Sequence, residues 1–132
     1  MASIFTKIIN REIPSFTIAE DDDHYAFLDI NPAARGHTLC IPKKEVDYLF
    51  DLSAEELTEL TKFSQKVAKG IDKALNPLRT GVIVEGMEVP HAHVHLIPIY
   101  QASQNFSLGK KINMDEGEMT ELAEKISGEI EL

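Results

Sequence analysis

The sequence predicts an α+β domain: a mostly antiparallel sheet, one long helix and a short C-terminal helix. Three observations lead there. Short runs of β-forming residues bounded by Pro and Gly fall into two groups. One long stretch with helical periodicity separates those groups. A second, shorter helical pattern closes the chain, and the whole order suits an α+β arrangement. The length, 132 residues, suits one core, so a single domain over residues 1–132 is expected.

Residues 25–29 form an aromatic and apolar run, read as a strand that Asn31-Pro32 breaks. Residues 37–41 form a second strand, stopped by Pro42. Residues 53–75 form the clearest helix, with Ser53 and Glu56 at capping-box spacing. Leu57, Leu60, Phe63, Val67, Ile71 and Ala74 follow at three- and four-residue steps, which makes one apolar stripe. Asn76-Pro77 ends it. Residues 81–84 and 91–99 read as the third and fourth strands. Residues 101–117 are mostly polar and read as loop, after which Met119, Leu122, Ala123 and Ile126 mark the terminal helix.

Thirteen Lys and Arg stand against 22 Asp and Glu, a net charge of −9. No basic patch exists to release counterions from a nucleic-acid polymer, so such a partner is excluded, as is an anionic membrane surface. The single cysteine, Cys40, lies in an apolar run and reads as a buried thiol. No run approaches the roughly 18 apolar residues of a membrane span, and residues 1–10 lack a signal peptide's apolar core. A cytoplasmic protein is therefore expected. The acidic run at residues 20–23 reads as a solvated turn, and His24 as a surface residue.

Three of the five histidines alternate in His91-Ala92-His93-Val94-His95. On a helix, neighbours two apart would point about 200° apart and could not converge. On a strand they share one face at about 6.6 Å per step, with Ala92, Val94 and Leu96 on the other face as core. A row of imidazoles can ligate a metal ion. It can equally run nucleophilic and acid/base chemistry near neutral pH, to which a phosphoryl centre is well suited.

Two upstream segments, Phe27-Leu28-Asp29-Ile30-Asn31-Pro32 and Gly36-His37-Thr38-Leu39-Cys40-Ile41-Pro42-Lys43-Lys44, stand before the long helix. With the alternating histidines they closely resemble the histidine triad (HIT) family of nucleotide hydrolases and transferases. Ile4-Phe5-Thr6-Lys7-Ile8-Ile9 and Glu12-Ile13-Pro14 resemble that family's opening, so the resemblance spans about residues 3–99. It implies a HIT-like antiparallel sheet of about five strands and a homodimer that pairs the long helix and a strand across a two-fold axis. It implies that a purine nucleotide or nucleotide conjugate binds against the His-bearing strand.

By the same resemblance, His93 attacks the α-phosphorus of a phosphoramidate, acyl-nucleotide or dinucleoside polyphosphate, and a nucleoside monophosphate is released. His95 contacts the phosphate or leaving group and delivers a proton, while His91 and His37 form a supporting hydrogen-bond pair. Asp29 accepts hydrogen bonds from the ribose hydroxyls. Ile4, Phe5, Ile8, Phe27, Ile30 and Leu39 wall the base, and Glu88 and Val89 lie beside the phosphate. No cofactor and no metal is expected. Many bacterial members bind structural zinc through an N-terminal Cys-x-x-Cys, a later His and a triad His; here Ser3, Thr6 and Glu45 stand at the first three of those positions. Met87 and Glu88 also depart from the family pattern, which often has Gln followed by Ser or Thr there. That departure leaves a nucleotide-binding module with little catalysis as an alternative, and the row of imidazoles keeps a histidine-based metal protein as a third reading.

Overall fold

A computed structural model of the protein describes residues 2–132. Helix α1 (Ile4–Ile9) opens the chain, followed by strands β1 (Thr17–Glu20), β2 (His24–Leu28) and β3 (Thr38–Pro42). Helix α2 (Ala54–Leu75), strands β4 (Arg79–Ile83) and β5 (Val94–Ile99) and helix α3 (Glu116–Ser127) complete it. The five strands form one sheet in the order β1-β2-β3-β5-β4, with every pair antiparallel. The predicted capping box is present: the Ser53 hydroxyl accepts from Glu56 N–H, and the Glu56 side chain accepts from Ser53 N–H. The sequence reading left α1 and β1 unassigned. One is six residues long, and the other is four residues with a bulge between Thr17 and Ala19, so neither displays enough period to read.

The sheet is covered on both faces, which is why β2 and β3 are buried along their whole length. On one face Ala26, Leu28, Cys40, Val94 and Leu96 pack under Leu60, Phe63, Val67 and Ile71 of α2 and Leu122 and Ile126 of α3. On the other, Tyr25, Phe27, Leu39 and Ile41 meet Phe5 and Ile8 of α1. Register aligns Phe27 with Leu39 and Leu39 with His95, so one row across this second face ends on a histidine.

Two expectations are corrected. The last strand begins at Val94, because His91 N–H turns back to Val89 C=O (2.8 Å) and Ala92 N–H donates to Val46 C=O (2.6 Å) instead of joining a ladder. His24 is not a surface residue. As the first residue of β2 it points to the α2 face, where its ring stacks on Phe63 at 5.0 Å and Nδ1 bonds Asp21 at 2.9 Å.

Gly36 sets the entry to β3, immediately before His37. Its φ is +93°, and a Cβ there would lie 2.5 Å from Leu75 Cδ1. Gly36→Ala is expected to lower stability by about 1–2 kcal/mol, from the left-handed backbone and the close approach. A urea midpoint unchanged from wild type would contradict this.

Candidate functional site

Four buried histidines meet at the end of β5, and their hydrogen bonds assign every ring proton. A carbonyl oxygen only accepts, and a backbone N–H only donates. His93 Nδ1 lies 2.7 Å from His91 C=O, so it carries the proton and leaves a lone pair on Nε2. His91 Nε2 lies 2.7 Å from Pro42 C=O, so it is the donor there, and His91 Nδ1 accepts from the Ser3 hydroxyl at 2.8 Å. Ala33 N–H donates to His37 Nδ1 (2.9 Å), which puts the His37 proton on Nε2. That proton faces His95 Nδ1 at 2.9 Å, so His95 accepts there and presents its own N–H at Nε2. The expected supporting pair of His37 and His91 is therefore two separate supports. His37 orients His95, while His91 orients His93 through its backbone carbonyl, because the rings of His37 and His91 bond different partners.

His93 and His95 line a cavity of about 220 Å³ on the α1 face of the sheet. Ile4, Phe5, Ile8, Phe27, Ile30 and Leu39 form its apolar wall, and Asp29, Glu88 and Val89 also border it. Every residue singled out above for base, ribose or phosphate contact thus lies around one cavity. Phe5 meets the His93 ring edge-on at 5.0 Å, which holds the nucleophile candidate against the wall. Asp29 Oδ1 accepts from Asn31 N–H at 2.8 Å, capping the turn after β2, and Oδ2 lies 3.5 Å from His37 Nε2. The sequence reading did not place Ser15 and Asn31 at the cavity rim. They lie in loops, and loop residues show no period by which to assign a facing direction.

Ser3, Thr6 and Glu45 come together beside His91. Glu45 Oε1 accepts from Ser3 N–H and from the Thr6 hydroxyl, both at 2.6 Å. Asp29, His37 and His95 hold ligand atoms within 4.8 Å of one another, close enough to share one ion. Within that group His37 Nε2–H already donates to His95 Nδ1 at 2.9 Å. A larger cleft of about 1030 Å³ runs between residues 13–17 and α3, away from the histidines.

Residues 10–102 match the model of the HIT domain. An adenosine 5'-monophosphoramidase of Saccharomyces cerevisiae is 44% identical over 98 residues, covering 74% of this chain and 62% of that protein. An adenosine 5'-monophosphoramidase of Schizosaccharomyces pombe is 33% identical over 134 residues, covering 98% and 99%. Among solved structures, a HIT-like protein of Bartonella henselae superposes with a TM-score of 0.85 at 38% identity, covering 97% of this chain and 96% of that one.

Burial first, and then the neighbouring histidines and the Lys111 cation, push His37 down to about 3 and His95 down to about 4, which keeps both of these rings neutral near pH 7. Burial also lowers His91 and raises Asp29. The unfolded rings take up protons near pH 6.5 and the folded ones do so only well below it, so the unfolded chain binds more protons in between. Stability is thus complete above pH 6.5 and falls as pH drops from 6.5 through about 4 and about 3. Unfolding free energy from urea titrations is expected to fall by about 2–3 kcal/mol between pH 6.5 and pH 5, with Asp29 offsetting a small part. Equal values at the two pH settings would contradict the neutral, buried assignment.

Proposed function

The chain belongs to the HIT family, and from that premise we propose that it releases a nucleoside monophosphate from a phosphoramidate or a related nucleotide conjugate by way of His93. The observation that carries this reading is the His91 C=O···H–Nδ1 His93 bond, which leaves Nε2 with its lone pair in a ring that lines the cavity. In the step proposed, Nε2 forms a bond to the α-phosphorus while the bond to the leaving group breaks. The resulting nucleotidyl-imidazole bears positive charge, and the Nδ1–H bond to the His91 carbonyl becomes charge-assisted as that charge develops. Water then attacks the phosphorus, the N–P bond breaks with its electron pair returning to Nε2, and the monophosphate leaves while the water's surplus proton passes to the product phosphate and solvent.

His95 has a narrower part than the family pattern suggested. Its Nδ1 is occupied by the His37 proton, and burial holds the ring neutral. It therefore donates a hydrogen bond from Nε2 to a phosphoryl or leaving-group oxygen or nitrogen, stabilising charge without giving up a proton. Asp29 takes the ribose hydroxyls, and the apolar slot suits a flat base, with a purine burying more area than a pyrimidine.

The reading extends to a homodimer. Strand β4 is an open edge, and Val82 on it and Val84 just after it are 59% and 39% exposed. They border a cleft with Leu57, Leu60 and Ala68 of α2, an apolar surface beside an unpaired edge. The competing reading, a module that binds nucleotides without turnover, draws on Met87 and Glu88. Both are exposed at the approach to His93, where a hydroxyl for the leaving group is absent.

His93→Ala is expected to slow AMP release from adenosine phosphoramidate by at least about a thousandfold, roughly 4 kcal/mol of barrier, with AMP still bound. Activity kept within about tenfold of wild type would overturn the nucleophile assignment. AMP binding without turnover by the wild-type protein, across phosphoramidates and dinucleoside polyphosphates, would favour the binding module. Val82→Asp is expected to convert a dimer into a monomer in sedimentation equilibrium. A wild-type protein that sediments as a monomer at micromolar concentration would remove the homodimer from the reading.

A further inference from the structure

We propose that Glu45, together with Ser3 and Thr6, is a positioning group for His93, acting through the ring of His91. The inference rests on the reading of His93 as nucleophile, and its evidence is a continuous run of polar contacts outside the cavity. Glu45 Oε1 holds Ser3 N–H and the Thr6 hydroxyl, each at 2.6 Å. The Ser3 hydroxyl accepts from Thr6 N–H at 3.0 Å, which turns its own proton toward His91 Nδ1 at 2.8 Å. His91 Nε2–H then reaches Pro42 C=O at the end of β3. The ring of His91 is thereby clamped on both nitrogens, between the start of α1 and the end of β3.

The clamp matters because His91 does two jobs at once. Its side chain is fixed to β3, and its backbone carbonyl is the acceptor for His93 Nδ1–H. Residues 91–93 belong to no ladder, so no strand neighbour holds that carbonyl in place. The side-chain clamp supplies the rigidity that a ladder would have given. Ser3 is 6% exposed and His91 fully buried, so water has no access to substitute for the hydroxyl donor. Glu45 itself is exposed, but its carboxyl is held down to about 2 by the Ser3 N–H and then by the Thr6 hydroxyl, so it keeps full acceptor strength.

A group that merely caps α1 would affect stability and leave the chemistry alone. A positioning group moves kcat while KM stays, and it alters which nitrogen of His91 carries the proton. Glu45→Ala is expected to lower kcat for adenosine phosphoramidate by about tenfold to a hundredfold, with KM within twofold, because a small misplacement of a reacting group costs that much. Glu45→Gln keeps an acceptor oxygen and is expected to restore kcat to within about threefold of wild type. Nitrogen-15 spectra of histidine-labelled protein give a readout that needs no substrate. In wild type, His91 is the Nε2–H form and His93 the Nδ1–H form, whereas Glu45→Ala is expected to shift His91 toward a mixture. Wild-type kcat together with an unaltered His91 signal in Glu45→Ala would overturn the proposal. If Glu45→Ala fails to fold, Ser3→Ala, which removes the donor to His91 directly, is judged by the same spectra. A wild-type protein without turnover would sink the catalytic reading, and the spectra would still decide whether Glu45 sets the His91 proton.

Discussion

The site depends on one hydrogen bond, from His93 Nδ1–H to the carbonyl of His91 two residues earlier, at 2.7 Å. A neutral imidazole has one donor and one acceptor nitrogen, so fixing the donor exposes the acceptor. The geometry carries a structural cost. A carbonyl engaged with a side-chain ring is lost to a β-ladder, and the strand accordingly starts at Val94, after the first two histidines of the run. The frayed strand end is the condition for presenting a lone pair. The surrounding elements then hold that loosened backbone: Pro42 at the end of β3, Ser3 at the start of α1, and Phe5 edge-on against the His93 ring.

Electrostatics in the site follow from burial more than from net charge. The chain carries −9 overall, yet His95, which lines the cavity, is held neutral by burial and offers a ring N–H rather than a charge. A desolvated imidazole N–H stabilises charge more strongly than an exposed one, and it needs no counter-charge to stay folded. Long-range repulsion from surface carboxylates is screened within about 10 Å at moderate ionic strength. An acidic protein and a phosphate-handling cavity are therefore compatible. A nucleic-acid polymer is different, since its affinity comes from many cationic contacts.

Much of this was legible in the sequence, for physical reasons that also mark where legibility stops. The long helix could be read because its apolar stripe and capping box are local signals, and both are present. The histidine row could be read because alternation has meaning only on extended backbone. Its proton assignments could not, since they depend on Pro42, Ala33 and Ser3, remote in sequence and joined only by the fold. His24 reads as a surface residue because an aspartate-rich turn suggests solvent, whereas parity along β2 places the ring under Phe63. Ser3, Thr6 and Glu45 were noticed as departures from a family pattern. Their mutual hydrogen bonds appear only when α1 is brought against the end of β3.

The neutral state of His95 also narrows what can leave. A ring whose Nδ1 already accepts the His37 proton cannot take a second proton there without breaking that bond, so it is a poor proton donor near neutral pH. On the proposed reading, leaving groups that depart without help are favoured: an amine already protonated on nitrogen, a carboxylate or a phosphate. A simple alkoxide is not favoured. Glu88 separates the members of that set. Its exposed carboxylate borders the cavity and is felt by Asp29, so it attracts a departing ammonium and repels a departing anion. Lys111 acts in the opposite sense on the side of His37 and His95. Asp29 feels both charges, Glu88 raising it and Lys111 lowering it, and of the two Glu88 is the one that borders the cavity. On the proposed reading, the carboxylate of Glu88 at the cavity suits an anionic nucleotide joined to a cationic leaving group, which is the charge pattern of an N-protonated phosphoramidate.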